Sequence, residues 1–305
     1  MAESQDVIER DEDQGMDEDS DTADTATDGA SSSATTTMTT TAMILDRSRC
    51  QLRLPSNLVT ESLRFAHALK YSRNGIDGTG AADSELVTQL RAAGIIVGDD
   101  LDPLAADLLR VANQASLIIN VELRYGADAS SSTVWATPRQ AVVSSSLDPA
   151  FAEFRPVDVM QLPYVLSELM VARPPQNVGE APISVATQAV AEAEAVLDDP
   201  DRAAKILVDA GLSSEQAQRV LDFQDADVRR WRVNSSWSTD DGQESSELRG
   251  IDAGGNGQWL VAMTGTREDR GQLTFTPQGH GDVMRALRSI LPRSWVGTPL
   301  KNPGI

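Results

Sequence analysis

Two stretches of this chain, residues 87–170 and 205–291, carry the same succession of signals, and that repetition constrains the fold more than any motif does. Each opens with a helical run that closes on glycine, Leu90-Arg91-Ala92-Ala93-Gly94 in the first and Leu207-Val208-Asp209-Ala210-Gly211 in the second. A second helix follows, then three or four strand-like runs, then a closing helix. The exits from the last strand correspond as well: Phe154-Arg155-Pro156 and Phe275-Thr276-Pro277. The two copies lie more than 100 residues apart, too far for a solenoid repeat, so the pattern predicts a pseudo-two-fold duplication.

The first copy predicts a helix from Pro103, introduced by Asp102 as N-cap, with Leu104, Leu108, Val111 and Ala112 on one face. Leu117-Ile118-Ile119-Asn120-Val121-Glu122-Leu123 begins as a continuous apolar run and ends in alternation, as a central strand does on emerging towards solvent. Residues 126–132 form the predicted hairpin loop after it, and the runs on either side of Pro138 complete an antiparallel meander. The second copy predicts strands over 228–237, 244–249, 258–264 and 272–276, separated by Asp240-Asp241-Gly242, by the glycine cluster at 254–257 and by 268–271. Helices are predicted at 184–197, 201–208 and 213–226, with Ser213 and Gln216 as a capping box. These three helices have no evident counterpart in the first copy and are read as an inserted bundle.

Composition matters mainly at the ends. Residues 1–42 hold twelve Asp and Glu against Arg10, so more than half of the net charge of −20 sits in a segment that the sequence predicts to be a disordered acidic tail. The remainder has no Lys/Arg stripe to displace counterions from phosphates, which excludes nucleic acid as a partner. Cys50 is the one cysteine, which excludes an intrachain disulfide and points to a reducing compartment. No run approaches the roughly 18 apolar residues that span a bilayer, so no membrane insertion is expected and the reading is cytoplasmic. The prolines between Arg173 and Pro182 mark a boundary, giving a tail at 1–42, a first α/β half at 43–172, a linker at 173–183, a second half at 184–293 and a tail at 294–305.

Motifs for chemistry are sparse. His67 lies within a helical run and His280 at a helix start, neither beside a nucleophile. The acidic pairs Asp99-Asp100, Asp198-Asp199 and Asp240-Asp241 sit where Asp caps turns and helices, and none has the alternate-oxygen order of a calcium loop. Gly75-Ile76-Asp77-Gly78-Thr79-Gly80 lacks the Lys-Ser/Thr of a phosphate-binding loop. No catalytic residue, metal or cofactor is predicted, and the reading is of a non-enzyme. Trp135, Trp231, Trp237 and Trp259 all fall in predicted strands; Trp237, on a Ser-rich background, is the one expected to be exposed and to bind a partner.

Several of these runs resemble the EspG family of secretion-associated chaperones: residues 90–96, the Asp102-Pro103 helix start, the strand around Trp135 with Ala141-Val142-Val143, and the series from Val233 to the closing helix. The resemblance covers about residues 85–292. It implies an α/β (α+β) fold in which two pseudo-symmetric halves share a central antiparallel sheet flanked by helical bundles. It further implies a cytosolic chaperone of the type VII (ESX) secretion system that binds PE–PPE heterodimers and keeps them soluble for export. In the family, the loop after the second strand of the first half, the sheet surface and the C-terminal helical bundle contribute to binding. The loop carries over here as Gly126, Ala127, Asp128, Ala129, Ser130, Ser131 and Ser132. The alternative is a cytoplasmic scaffold or regulatory homodimer that uses the same sheet.

Overall fold

The computed structural model describes residues 43–72, 75–80, 84–148, 150–170, 180–225, 227–265, 271–293 and 295. The predicted acidic tail, most of the predicted linker, the predicted turn at 268–270 and nearly all of the C-terminal tail lie outside the described residues.

Strands β1 (Ile44–Asp46) and β2 (Gln51–Pro55) lead into helices α1 (Val59–Tyr71) and α2 (Glu85–Ala92). A small hairpin, β3 (Ile96–Val97) and β4 (Asp100–Leu101), precedes α3 (Pro103–Asn113). Then come β5 (Leu117–Tyr125), β6 (Asp128–Ala136), β7 (Ala141–Asp148), β8 (Phe151–Val157) and α4 (Leu162–Leu169). The second half runs β9 (Ile183–Ala186), α5 (Thr187–Glu194), α6 (Pro200–Asp209), α7 (Ser214–Asp222), β10 (Arg229–Thr239), β11 (Gly242–Asp252), β12 (Gln258–Thr264), β13 (Gln272–Gln278) and α8 (His280–Ser289).

All strands but β3 and β4 join one 11-stranded antiparallel sheet ordered β1-β2-β8-β7-β6-β5-β10-β11-β12-β13-β9. Read outward from its centre, the order is β5-β6-β7-β8-β2 on one side and β10-β11-β12-β13-β9 on the other. The halves meet along β5 and β10, where Val121 pairs with Val233 midway between Leu117↔Trp237 and Tyr125↔Arg229.

Strand alternation decides what each face buries. Leu117, Ile119, Val121, Val134, Trp231 and Val233 share one face with the apolar sides of α4 and α8, including Leu162, Leu166, Val283 and Leu287. On the opposite face α1–α3 cover the first half through Trp135, Val142 and Phe154. On that same face α5–α7 cover the second half through Ile251, Trp259 and Phe275. Each fully buried Leu, Ile or Phe in these layers contributes on the order of 1.5–3 kcal/mol. Phe154 and Phe275 are both buried, at 0% and 3% exposure, and each is the anchor of its half, with Trp135 stacked on the first and Phe223 against the second.

The repeated sequence signals are caps and edges. Gly94 and Gly211 take φ of 68° and 102°, and the amides after them reach back five residues, Ile95 N to Leu90 O and Leu212 N to Leu207 O. Both copies therefore end a helix with the same left-handed glycine cap over a buried leucine. Asp102 caps α3 by accepting from Leu104 N (3.0 Å), and Ser213 and Gln216 form the capping box of α7. Pro156 and Pro277 fall just beyond the reach of β2 and β9, so their missing N–H costs no ladder bond.

Three readings change. The three helices at 187–222 are no insertion, because α1–α3 occupy the equivalent place; the glycine loop and the β3–β4 hairpin stretch the first set and hide the match. Residues 184–186, read as the start of a helix, join Ile183 from the predicted linker in edge strand β9 on β13. The loop read at 126–132 shrinks to the two-residue turn Gly126-Ala127, since Tyr125 pairs with Asp128 and the Ser-rich segment continues the ladder. Pairing by a neighbouring strand overrides the low strand propensity of serine.

Candidate functional site

Among the described residues, the centre of the sheet is covered on one face only. Between the α1–α3 and α5–α7 layers, β5 and β10 expose a polar strip whose residues line up in register across four strands. Ala129↔Arg124↔Arg230↔Ile251 forms one row, Ser131↔Glu122↔Arg232↔Arg249 the next, and Thr133↔Asn120↔Asn234↔Glu247 the third. Beside it, β12 pairs with β11 only through Gly250, Ile251 and Asp252 and then diverges. Where it diverges, a groove of about 690 Å³ opens between the sheet and α5. Val190, Leu197, Val261, Leu273 and Phe275 form its apolar wall, and Glu122, Arg124, Arg230, Arg232 and Arg249 its charged floor.

The floor is held by Glu247. Its carboxylate accepts from Arg232 Nη2 (2.7 Å) and from Arg249 Nε, and Asn234, with its amide turned to satisfy both neighbours, donates to it at 2.9 Å. Partial burial pushes the Glu247 carboxyl up, but the hydrogen bonds and charges of Arg249 and Arg232 outweigh that and leave it below the usual carboxylate range. The same contact raises Arg232 above the ordinary guanidinium value. Among the described residues Arg230 finds only neutral acceptors, Phe223 O (2.7 Å) and Gln224 Oε1 (3.2 Å).

The structure does not bring the sequence-predicted partner residues together. Alternation splits the hairpin: Ala129 and Ser131 border the polar strip, while Asp128, Ser130 and Ser132 point to the opposite face with Leu123 and Tyr125. Asp128, Ala129, Ser130 and Ser131 line a depression of about 480 Å³ with Tyr125, and Gly126-Ala127 is the turn at its end. Trp237 lies at the far end of β10, opposite Leu117, eight residues from the Tyr125 level, or roughly 26 Å at the usual strand rise. It is half-buried against the α4/α8 core and flanks a separate cleft with Trp295. The sequence reading missed Arg124, Arg230, Arg232 and Arg249; the Arg229-Arg230-Trp231-Arg232 run entering a strand was the one available signal.

The other motifs resolve locally. His67 packs against Tyr71 on α1 with ring centroids 5.0 Å apart, and His280 is the first residue of α8. Gly98-Asp99 turns the β3–β4 hairpin and Asp100 opens β4, Asp199 caps α6 and Asp240-Asp241 turns β10 into β11. The glycine loop is pinned by Ile76, which is fully buried. Among the described residues no group of three or more His, Cys, Asp or Glu is placed to hold a metal ion, and no helix is long and apolar enough to cross a membrane.

The model of the EspG family matches residues 75–289. No curated protein sequence matches the chain. Its fold is similar to that in the solved structure of the Mycobacterium tuberculosis type VII secretion system chaperone EspG5 in complex with a PE25–PPE41 dimer. The TM-score is 0.56 at 14% identity, over 80% of this chain and 97% of that one.

Proposed function

The chain belongs to the EspG family, and from that premise we propose that it is a type VII secretion chaperone that binds a PE–PPE-type heterodimer and keeps it soluble for export. The observation that carries this reading is the half-covered sheet: a charged strip open between two helical layers, continuous with a groove whose wall is aliphatic and aromatic. An apolar groove rimmed by polar and charged side chains is the kind of surface that marks a protein–protein interaction site. The groove, the Ala129/Ser131 side of the hairpin and the α5 layer form the binding face, and Trp237, on the α4/α8 face, lies outside it. The remaining hairpin positions, Gly126, Ala127, Asp128, Ser130 and Ser132, present a second contact around the edge of β6.

The work done is binding. Covering apolar cargo surface lowers the free concentration of an aggregation-prone species by mass action, with no bond made or broken. That places the protein in the cytosol with its cargo before export and makes it a non-enzyme. The halves at 43–172 and 184–293 fold as one binding platform, because the groove draws residues from both.

Co-expression of the full chain with PE–PPE-type pairs, followed by size-exclusion chromatography, tests the reading. The expected result is co-elution at a fixed ratio, with more soluble cargo than when the pair is expressed alone. Pairs that are equally soluble without it and never co-elute would sink the chaperone reading. Elution of the chain alone as a dimer would instead favour the scaffold.

A further inference from the structure

Within the charged strip, two pairs of arginines face each other across neighbouring antiparallel strands: Arg232 opposite Arg249, and Arg124 opposite Arg230. Like charges directly opposite one another oppose strand pairing, with side chains starting only about 5 Å apart. The first pair is reconciled by Glu247, which accepts from both guanidinium groups. Among the described residues the second pair has no such carboxylate. Arg230 donates to a backbone carbonyl and an amide oxygen at the end of α7. For Arg124 no hydrogen bond or ion pair is found among the described residues, although it is exposed and lines the groove. Glu122 lies in the next row, where its charge acts on Arg232, and Glu194 lines the α5 side of the groove.

We propose that Arg124 and Arg230 form a carboxylate receptor, filled by an Asp or Glu of the cargo just as Glu247 fills the pair beside it. Cargo recognition then has two parts. The wall of Leu197, Val261 and Leu273 takes apolar side chains of a cargo segment, and the arginine pair reads an acidic residue adjoining them on that segment. The second part gives selectivity: a cargo with a neutral or basic residue at that place leaves two like charges facing each other under cover, where water no longer screens them.

The inference rests on the chaperone reading, and the test separates the two. The probe is a PE–PPE-type dimer that co-elutes with the wild-type chain, titrated calorimetrically at several salt concentrations. Arg124→Glu is expected to weaken binding by about tenfold or more, the range for one charge-assisted contact, and to flatten the salt dependence, whereas Arg139→Glu in the exposed β6–β7 turn leaves both unchanged. Because Arg230 also ties the end of α7, Arg124→Gln is the cleaner variant. It should leave the thermal midpoint of the free chain equal or higher while losing affinity, which a merely structural arginine would not do. An Asp/Glu→Arg change on the cargo should then restore binding to Arg124→Glu. Unchanged affinity and salt slope in Arg124→Glu would overturn the receptor while leaving the chaperone intact. Failure of every PE–PPE-type dimer to bind the wild type would overturn both.

Discussion

Gly250 shows how one residue can be dictated by its cross-strand partner. It sits opposite Trp231, and a Cβ placed on it would lie 2.1 Å from the indole. In the first half the equivalent pair is Ile119 opposite Val134, with both side chains buried. The same core volume is thus divided evenly in one half and given wholly to tryptophan in the other. Gly250→Ala should cost about 1–3 kcal/mol as overpacking, measured by urea unfolding. The double change Trp231→Ile with Gly250→Val should recover most of that loss; recovery of none would mean the glycine is needed for its backbone. Asp102 offers a pH-dependent case. Burial raises its carboxyl, but the Arg47 contact at 2.7 Å and the Leu104 amide outweigh that and hold it below the usual range. Since the folded value is the lower one, its contribution is present above the unfolded value, near 3.9, and is lost as pH falls through the folded value. Asp102→Ala should cost about 1 kcal/mol as a lost N-cap at neutral pH, and the difference from wild type should shrink in acid unfolding experiments. A difference that persists unchanged at pH 2 would contradict this.

At the scale of elements, the halves diverge in one buried row. Leu117, Ala136, Ala141 and Val157 lie in register across β5, β6, β7 and β8. The matching row across β10, β11, β12 and β13 is Arg229, Asp252, Gln258 and Gln278. Asp252, Gln258 and Gln278 are 4%, 3% and 7% exposed, and one oxygen of Asp252 and one nitrogen of Arg229 are buried without partners among the described residues. Asp252 Oδ1 accepts from Gly254 N (3.1 Å), so Asp252→Ala, which leaves that amide without its acceptor, should cost about 1–3 kcal/mol. Converting the whole row to Leu, Ala, Ala and Val should be neutral or stabilising; thermal unfolding of both variants decides, and a quadruple variant less stable than Asp252→Ala would refute the account. Local features such as the glycine caps, the capping box, Asp102-Pro103 and the alternation in β5 were legible in the sequence, because each is settled within a few residues. The two-residue turn at Gly126-Ala127, the equivalence of α1–α3 with α5–α7 and the charged strip were not. The turn is settled by the β5–β6 ladder that carries the Ser-rich segment, the helix equivalence is hidden by the glycine loop and the β3–β4 hairpin, and the strip needs register between strands more than 100 residues apart, which no local pattern encodes.

For the whole molecule, duplication produces an asymmetric surface from a symmetric frame. The α4/α8 layer closes one face across the junction of the halves, whereas the two three-helix layers on the other face leave that junction open. The open side carries the charged strip and the groove beside Leu197, which is 40% exposed. The closed side also shows isolated apolar residues, chiefly Met160 and Tyr164 at 69% and 59% exposure near α4, so the two faces make rival claims on a partner. Calorimetric titration of a PE–PPE-type dimer into two variants of the full chain, Leu197→Glu and Tyr164→Glu, distinguishes them most directly. Both positions are exposed, so both variants should fold as the wild type does. The account predicts at least about tenfold weaker binding for Leu197→Glu, the effect of burying an unpaired charge in an apolar wall, and wild-type affinity for Tyr164→Glu. Wild-type affinity in Leu197→Glu with loss in Tyr164→Glu would place the cargo on the α4/α8 face and contradict it.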